Sequence, residues 1–176
     1  MNFSVRQAAN VGLLTAVSIV LTRVFGIGIP IAGFVGLRIT LGEVPLILAG
    51  LLFGPLAGAI AGIASDVIGY LINQFGGPFF PGFAISAAIT GFLPGVFLHK
   101  RKDNLTIWRI GGAVFATDLI AGVVLNTLWL TILYGKGFFI LLPTRLVTRI
   151  FTIPVYTIAV FWLNRAYQAY SKGLAQ

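Results

Sequence analysis

The sequence predicts an all-α integral membrane protein, and three observations favour this class. Hydrophobic residues make up 58% of the 176 residues and charged residues only 9%, whereas soluble domains average about 25% charged residues. The mean hydropathy is +1.00. The apolar runs are long and continuous, unlike barrel strands, which alternate over about 10 residues. Since one span needs roughly 20 apolar residues, six spans with short loops fill residues 1–176 as a single domain.

Six helices are predicted, and glycine and proline separate them. Gly54-Pro55 predicts a tight turn with proline at the first position of the third helix. The segments "FGIGIPIAGFVG" (25–36), "GGPFFPG" (76–82) and "YGKGFFILLP" (134–143) predict longer loops. The predicted helices lie at about 5–25, 39–53, 55–74, 82–98, 107–133 and 144–164.

Basic residues predict the orientation of the bundle. The compact "HKRKD" run at 99–103 indicates a cytoplasmic loop by the positive-inside rule, which places both termini in the cytoplasm. The net charge of +8 follows from such flanking residues and does not indicate nucleic acid as a partner. His99 is the only histidine, and we interpret it as a solvated loop residue. The sequence contains no cysteine, and no set of residues suggests a nucleophile–base pair, so an enzyme is not expected.

Four arginines fall in the outer half of the predicted bundle, at positions 23, 38, 145 and 149. Cations at this depth are costly unless they face water, carboxylates or an anionic ligand. Arg23 and Arg145 could equally extend to lipid headgroups. Arg149 lies deeper, so a ligand or a buried ion pair is favoured for it.

Two acids, Asp66 and Asp118, fall near the middle of the predicted third and fifth helices. An intramembrane carboxylate indicates either function or a hydrogen bond or ion pair inside the bundle. For Asp66 the two alternatives stand equal, and for Asp118 the structural role is favoured. A proton-coupled carrier would also use such acids, but no ladder of acids or second histidine accompanies them.

Small residues form two ridges at helical spacing. Ala8, Gly12 and Ala16 share one face of the first helix, because residues four apart lie above one another. Gly54, Gly58 and Gly62 form a similar face on the third helix. Such faces allow close approach of another helix. One is needed inside the chain, so the other is available to a partner, and the first helix is the favoured docking face.

The loop "GGPFFPG" is unusual for a connection between membrane helices. Its prolines limit the backbone and its glycines permit sharp turns. Phe79 and Phe80 then present apolar faces that cover a planar ligand or anchor the loop among headgroups.

Two segments, "RITLGEVPLILAGLLFGPLAGAIAGIASDVIGYLI" and "GGPFFPGFAISAAITGFLPG", resemble the S components of energy-coupling factor (ECF) vitamin transporters, and most strongly the folate-specific type. The resemblance covers Arg38 to Gly95. It implies a six-helix S-component bundle in a prokaryotic plasma membrane, with a vitamin site in the outer half under the loops. The implied partners are a transmembrane coupling subunit (T component), which would dock on Ala8, Gly12 and Ala16, and two cytoplasmic ATPases. The chain has no phosphate-binding loop motif, so ATP would be used by those partners, and no cofactor is expected.

Folate combines a pterin, a benzoate amide and a glutamate, and the resemblance implies roles for the polar and aromatic residues. Candidates for the pterin edge are Asp66, Asn73 and Asn126. Candidates for the glutamate carboxylates are Arg23, Arg38, Arg145 and Arg149, because arginine binds carboxylates bidentately. Candidates for ring contacts are Tyr70, Phe79, Phe80 and Trp129. The alternatives are an S component for pantothenate or riboflavin, or a stand-alone small channel or proton-coupled carrier.

Overall fold

A computed structural model describes residues 4–31, 34–74, 77–100, 105–135 and 138–173. These residues form helices and one short β-hairpin. In chain order the elements are α1 (Val5–Arg23), β1 (Ile27–Ile31), β2 (Phe34–Ile39), α2 (Glu43–Phe53), α3 (Pro55–Ile72), α4 (Pro81–Leu98), α5 (Ile107–Thr117), a π-helical segment (Asp118–Leu125), α6 (Asn126–Tyr134) and α7 (Phe138–Gly173).

Five stretches of the described residues are long and apolar enough to cross a membrane. They are Val5–Arg23, Pro55–Ile72, Pro81–Leu98, Ile107–Tyr134 and Arg145–Tyr170. The helical membrane class predicted from composition is therefore confirmed. The second predicted helix differs, because α2 has only 11 residues. At 1.5 Å per residue it covers about 16 Å, roughly half of a hydrocarbon core.

Helix α2 instead forms the centre of the bundle. Every residue from Val44 to Leu52 is buried. Its Ile47 and Leu51 pack in one apolar cluster with Ile110 of α5 and Val160 of α7. A helix that is apolar on all sides is expected to be enclosed by others, which explains why the run looks like a span in the sequence.

The hairpin corrects the predicted loop at 25–36 and the predicted start of the second helix at 39. Strands β1 and β2 pair antiparallel, with Ile27 opposite Ile39 and Ile31 opposite Phe34. Arg38 therefore lies in β2, and α2 begins at Glu43. The glycines and Pro30 suggest a loop, but the isoleucines and valine between them favour a strand. Pairing satisfies backbone groups that would otherwise need water.

The last helix is longer than predicted. The segment 138–143, expected to be part of a loop, is the beginning of α7, which continues to Gly173 rather than ending near 164. Pro143 suggests a boundary, yet it lies only five residues after the start of the helix, and α7 also contains Pro154.

The bundle has two distinct ends. Arg23, the last residue of α1, donates to the carbonyl oxygen of Asn73, just after α3. Phe53, at the end of α2, meets Tyr167 near the end of α7. The helix directions therefore place the beginning of α1 and the end of α7 at the same end of the bundle, which we call the far end. The opposite end, where the cavity described below opens, is called the cavity end.

The two small-residue ridges have different surroundings. Gly58 and Gly62 of α3 are buried against α4, and a Cβ atom on Gly58 would overlap the Gly91 carbonyl group. Residues Ala8, Gly12 and Ala16 are exposed. A Cβ atom on Gly12 would meet nothing within 4 Å. The bundle thus uses the α3 ridge for its own packing, and the α1 ridge faces outward.

His99 lies at the far end and is not a solvated loop residue, so that prediction is wrong. Its ring is partly buried, and Nδ1 lies 2.9 Å from the Leu51 carbonyl oxygen. Leu51 lies in the last turn of α2, where carbonyl groups lack helical partners. The histidine therefore joins the ends of α2 and α4.

Candidate functional site

A cavity of about 200 Å³ opens at the cavity end, between α1, α2, α3, α4, α6 and α7. Charged and amide side chains line one part of it, and aromatic rings line another. The charged and amide residues are Arg23, Glu43, Asp66, Gln74, Asn126, Arg145 and Arg149. The aromatic residues are Tyr70, Phe79, Phe80, Phe83 and Tyr134.

Serine side chains on one side of the cavity join three helices. The Ser18 hydroxyl of α1 donates to the Gly42 carbonyl oxygen at 2.7 Å, just before α2. It also lies 3.0 Å from the Ser65 hydroxyl of α3. Both serines are buried and both line the cavity. They offer small polar groups on this wall.

Arg23 is buried and forms an ion pair, so the alternative of extension to headgroups is wrong for it. Its Nη2 lies 3.1 Å from Asp66 Oδ1, and its Nη1 donates to the Asn73 carbonyl oxygen at 2.7 Å. In return, Asn73 Nδ2 donates to the Arg23 carbonyl oxygen at 3.0 Å. These reciprocal bonds tie the end of α1 to the end of α3. The ion pair confirms a structural role for Asp66, and because Asp66 also lines the cavity, its functional role stays a prediction.

Arg149 lies between two acids. Its Nη1 is 2.8 Å from Asp118 Oδ1 and 3.6 Å from Glu43 Oε1. The side chains of Arg149 and Asp118 are nearly inaccessible, whereas that of Glu43 is 25% exposed. The structural role favoured for Asp118 is therefore confirmed as a buried ion pair. Burial of these charges is tolerated because they compensate one another.

Arg145 is also buried, so extension to headgroups is wrong for this residue too. Its Nη1 donates at 2.9 Å to the carbonyl oxygen of Gly122, which lies in the π-helical segment. Such segments are frequent at functional sites. The guanidinium of Arg149 also lies close to Gly122, because a Cβ atom on Gly122 would overlap it. The wide helical turn and its glycine thus accommodate both arginines.

Among the side chains that the structure describes around the cavity, positive and negative charges balance, which sequence reasoning missed. Arg145 and Arg149 face Glu43 and Asp118 in one group, and Arg23 faces Asp66 in another. Each group sums to a formal charge of zero. The arginines thus do not make a simple cationic pocket.

The segment from Pro78 to Phe83 contributes aromatic rings to the lining of the cavity. The ring centroids of Tyr70 and Phe79 lie 5.1 Å apart, and those of Phe80 and Trp129 lie 5.8 Å apart. Trp129 Nε1 donates to the Ser86 hydroxyl at 3.0 Å, which fixes the indole behind Phe80. Because both phenylalanines line the cavity, covering a ligand is favoured over anchoring among headgroups.

Eight of the eleven predicted ligand residues line the cavity. They are Arg23, Asp66, Tyr70, Phe79, Phe80, Asn126, Arg145 and Arg149. Asn73 and Trp129 lie one layer behind it, supporting Arg23 and Phe80. Arg38 lies in β2, and its side chain is outside the described part of the structure. Ligand contact by any of these residues stays a prediction.

Two features of the lining were missed or undervalued. Glu43 is not among the predicted ligand residues, yet it is the first residue of α2 and lines the cavity. An acid opening an apolar helix is the signal that would have found it. Within the described residues, Asn126 Oδ1 is buried without a hydrogen-bond partner, and Asn126 lines the cavity.

The arrangement defines a multi-pass membrane protein with a ligand cavity at one end of its bundle. Residues 2–169 match the family model described as ECF-type riboflavin transporter, S component. The chain belongs to this family of ECF S components, as the resemblance predicted. The family consists of transporter subunits, so the chain is not an enzyme.

Individual relatives carry a more specific description. The chain is 35% identical over 148 residues to "Folate transporter FolT" of Clostridium novyi (strain NT), covering 84% of this chain and 81% of the relative. It is 29% identical over 166 residues to "Folate transporter FolT" of Leuconostoc mesenteroides subsp. mesenteroides, covering 90% and 85%.

Solved structures agree with the family. A structure described as "Crystal structure of FolT bound with folic acid" matches with a TM-score of 0.79 and 28% identity, over 93% of this chain and 95% of that chain. A second, "Structure and mechanism of the S component of a bacterial ECF transporter", matches with a TM-score of 0.68 and 22% identity, over 95% and 98%. The second likeness concerns the fold alone.

Proposed function

We propose that this chain is the folate-binding S component of an ECF transporter in a prokaryotic plasma membrane. The observation that carries the proposal is the cavity itself, in which Phe79 and Phe80 cover a charge-balanced polar wall. The similarity to relatives described as folate transporters supports the same ligand.

The pterin ring would lie at the inner part of the cavity. Stacking on aromatic faces adds about 0.5–1.5 kcal/mol beyond area burial. The pterin edge presents an N–H and an amino group side by side, and a carboxylate accepts both. Asp66 Oδ1 lies 3.1 Å from Arg23 and its side chain is 17% exposed, whereas Glu43 lies 3.6 Å from Arg149 and its side chain is 25% exposed. Glu43 is therefore the better acceptor, and Asn126 Oδ1 is a second one.

The glutamate of folate would then lie toward the mouth. Arg23 and Arg149 form ion pairs with carboxylates of the chain itself. They are therefore better explained as residues that stabilise the cavity wall than as primary partners of a ligand carboxylate. Arg145 lines the cavity, and Arg38 belongs to the hairpin that leads to the lining residue Thr40. We retain these two arginines as the predicted glutamate contacts.

The family model is named for riboflavin, so riboflavin is the main competing ligand. Riboflavin carries no carboxylate and would leave Arg145 without a ligand partner. Pantothenate has a carboxylate but no aromatic ring, and would leave the phenylalanine cover unused. The stand-alone carrier alternative is disfavoured, because the chain belongs to a family of ECF S components.

Titration of the purified chain alone, in detergent, tests the ligand. We expect tight one-to-one folate binding, followed by intrinsic tryptophan fluorescence and checked by calorimetry, because Trp129 lies against the cavity cover. Riboflavin, thiamine, biotin and pantothenate serve as competitors. Tight riboflavin or pantothenate binding without folate binding would keep the family and reject the proposed ligand.

The proposed transport step needs partners. We propose that the folate-bound chain assembles with a T component and two cytoplasmic ATPases. The T component would dock on the outward-facing ridge of Ala8, Gly12 and Ala16. The support for this surface is that all three residues are exposed and that Gly12 has open space above it. Small residues there would let a partner helix approach closely.

Replacement of Gly12 by leucine is expected to abolish folate uptake but leave folate affinity unchanged. A Cβ atom at this exposed position meets nothing within 4 Å, so we expect folding to be preserved, whereas a docked helix would be displaced. Uptake by vesicles that contain the complete transporter, measured beside folate titration of the purified variant, checks this. Normal uptake by the Gly12→Leu protein would exclude this ridge as the docking surface.

A further inference from the structure

A second cavity of about 360 Å³ lies at the far end of the bundle, between α4 and α5. We call it the α4–α5 groove. Its walls include Phe97 and Leu98 of α4 and Leu105 before α5. Among the described residues that line the groove, Arg109 of α5 carries a positive charge. Because the folate cavity lies at the cavity end, the groove is a separate site.

The groove is formed by small residues on α5. Ala113 is buried at its base, and Gly112 faces open space, since a Cβ atom there would meet nothing within 4 Å. Ala116 continues the line one turn further along the helix. From Arg109 to Ala116 this line extends about 10 Å at 1.5 Å per residue. The result is a narrow apolar slot with a cation at one end.

The residues near that end suit a membrane interface. Arg109 is exposed, and the neighbouring Trp108 is 84% exposed. Lys100 is exposed just after α4. Tryptophan and cations concentrate where membrane helices reach the interface. Basic pockets between membrane helices bind anionic headgroups.

We propose that the α4–α5 groove binds one anionic phospholipid. Its phosphate would lie at Arg109 and one acyl chain along Gly112 and Ala116. The apolar slot accommodates an acyl chain of any phospholipid, and the positive charge of Arg109 favours an anionic lipid over a zwitterionic one. The site does not depend on folate as the transported ligand. It also differs from the proposed docking ridge, because α1 packs on α2 and α3 rather than on α5.

Native mass spectrometry of the full chain tests the site. The protein, in detergent, receives equimolar phosphatidylglycerol and phosphatidylcholine, and retained lipids are counted. We expect one retained phosphatidylglycerol with a roughly fivefold preference, the ratio for one arginine at an anionic surface. Arg109→Gln should remove the preference. Gly112→Leu should fill the slot and reduce retention of both lipids, and thermal unfolding in detergent verifies that each variant is folded.

Arg165→Gln is the matched control, because Arg165 is an exposed cation of α7 toward the same end. It should leave the preference unchanged. A Trp129→Phe, Trp162→Phe protein adds a local signal, since Trp108 alone would then report quenching by brominated phosphatidylglycerol. Equal retention of both lipids by the original chain, or loss of preference only in Arg165→Gln, would overturn the proposal. No retention of phosphatidylglycerol by the purified chain would also overturn it.

Discussion

Replacement of Gly91 by leucine is expected to prevent recovery of folded protein. A Cβ atom on Gly91 would overlap the Gly58 carbonyl group, and one on Gly58 would overlap that of Gly91. Overpacking of a core usually costs about 1–3 kcal/mol, because neighbouring side chains can move. Here the obstacle is backbone on both sides, so α3 and α4 would have to separate. Size-exclusion chromatography of detergent extracts should show no monodisperse peak for Gly91→Leu.

Gly112→Leu provides the control for this substitution. It places the same side chain in another helical glycine position, but one that faces open space. That variant should elute as the unmodified chain does. A monodisperse, folate-binding Gly91→Leu protein would contradict the close packing of α3 on α4.

Replacement of Arg149 by alanine is expected to lower stability strongly. The substitution leaves Asp118 and Glu43 without the cation that lies 2.8 and 3.6 Å from them. Removing one partner of a buried ion pair typically costs about 3–5 kcal/mol. Thermal unfolding in detergent should show a large decrease in midpoint. Arg165→Ala, an exposed arginine in the same helix, should change the midpoint little.

Glu43→Gln separates support from recognition. Arg149 keeps its close ion pair with Asp118 in this variant, so stability should be nearly retained. Loss of a charge-assisted hydrogen bond, worth about 1.5–3 kcal/mol, should weaken folate binding by roughly tenfold or more. Unchanged folate affinity in a folded Glu43→Gln protein would remove Glu43 from the pterin site, and the unfolding result for Arg149→Ala would still stand.

The fold class and most helix positions could be predicted from the sequence, because long apolar runs and glycine–proline breaks report them directly. The hairpin at 27–39 could not, since its pairing joins two segments that contain the loop signals Gly28 and Pro30. The true start of α7 was hidden by Pro143, which suggests a boundary although α7 continues through it.

The residues that line the cavity could be predicted better than the ion pairs that they form. Spacing and depth identified Arg23, Asp66 and Arg149, because charges are rare in membrane segments. Which acid meets which arginine depends on how the helices rotate and lean against one another. The pairing of Arg149 with Asp118 and Glu43 joins α7, the π-helical segment and α2. No local pattern in one helix contains that information.

The π-helical segment changes which side of the span from Ile107 to Tyr134 faces the interior of the bundle. An α-helical stripe that begins at Ile110 and Val114 would continue through Leu128 and Ile132. Those two positions are exposed, whereas Thr127 and Leu130 are buried. The wide π-helical turns contain more residues per turn than an α-helix, so the direction of the side chains rotates less from one residue to the next. The two halves of the span therefore present different sides to the interior of the bundle. One half serves the packed core, and the other presents Asn126 and Leu130 to the cavity.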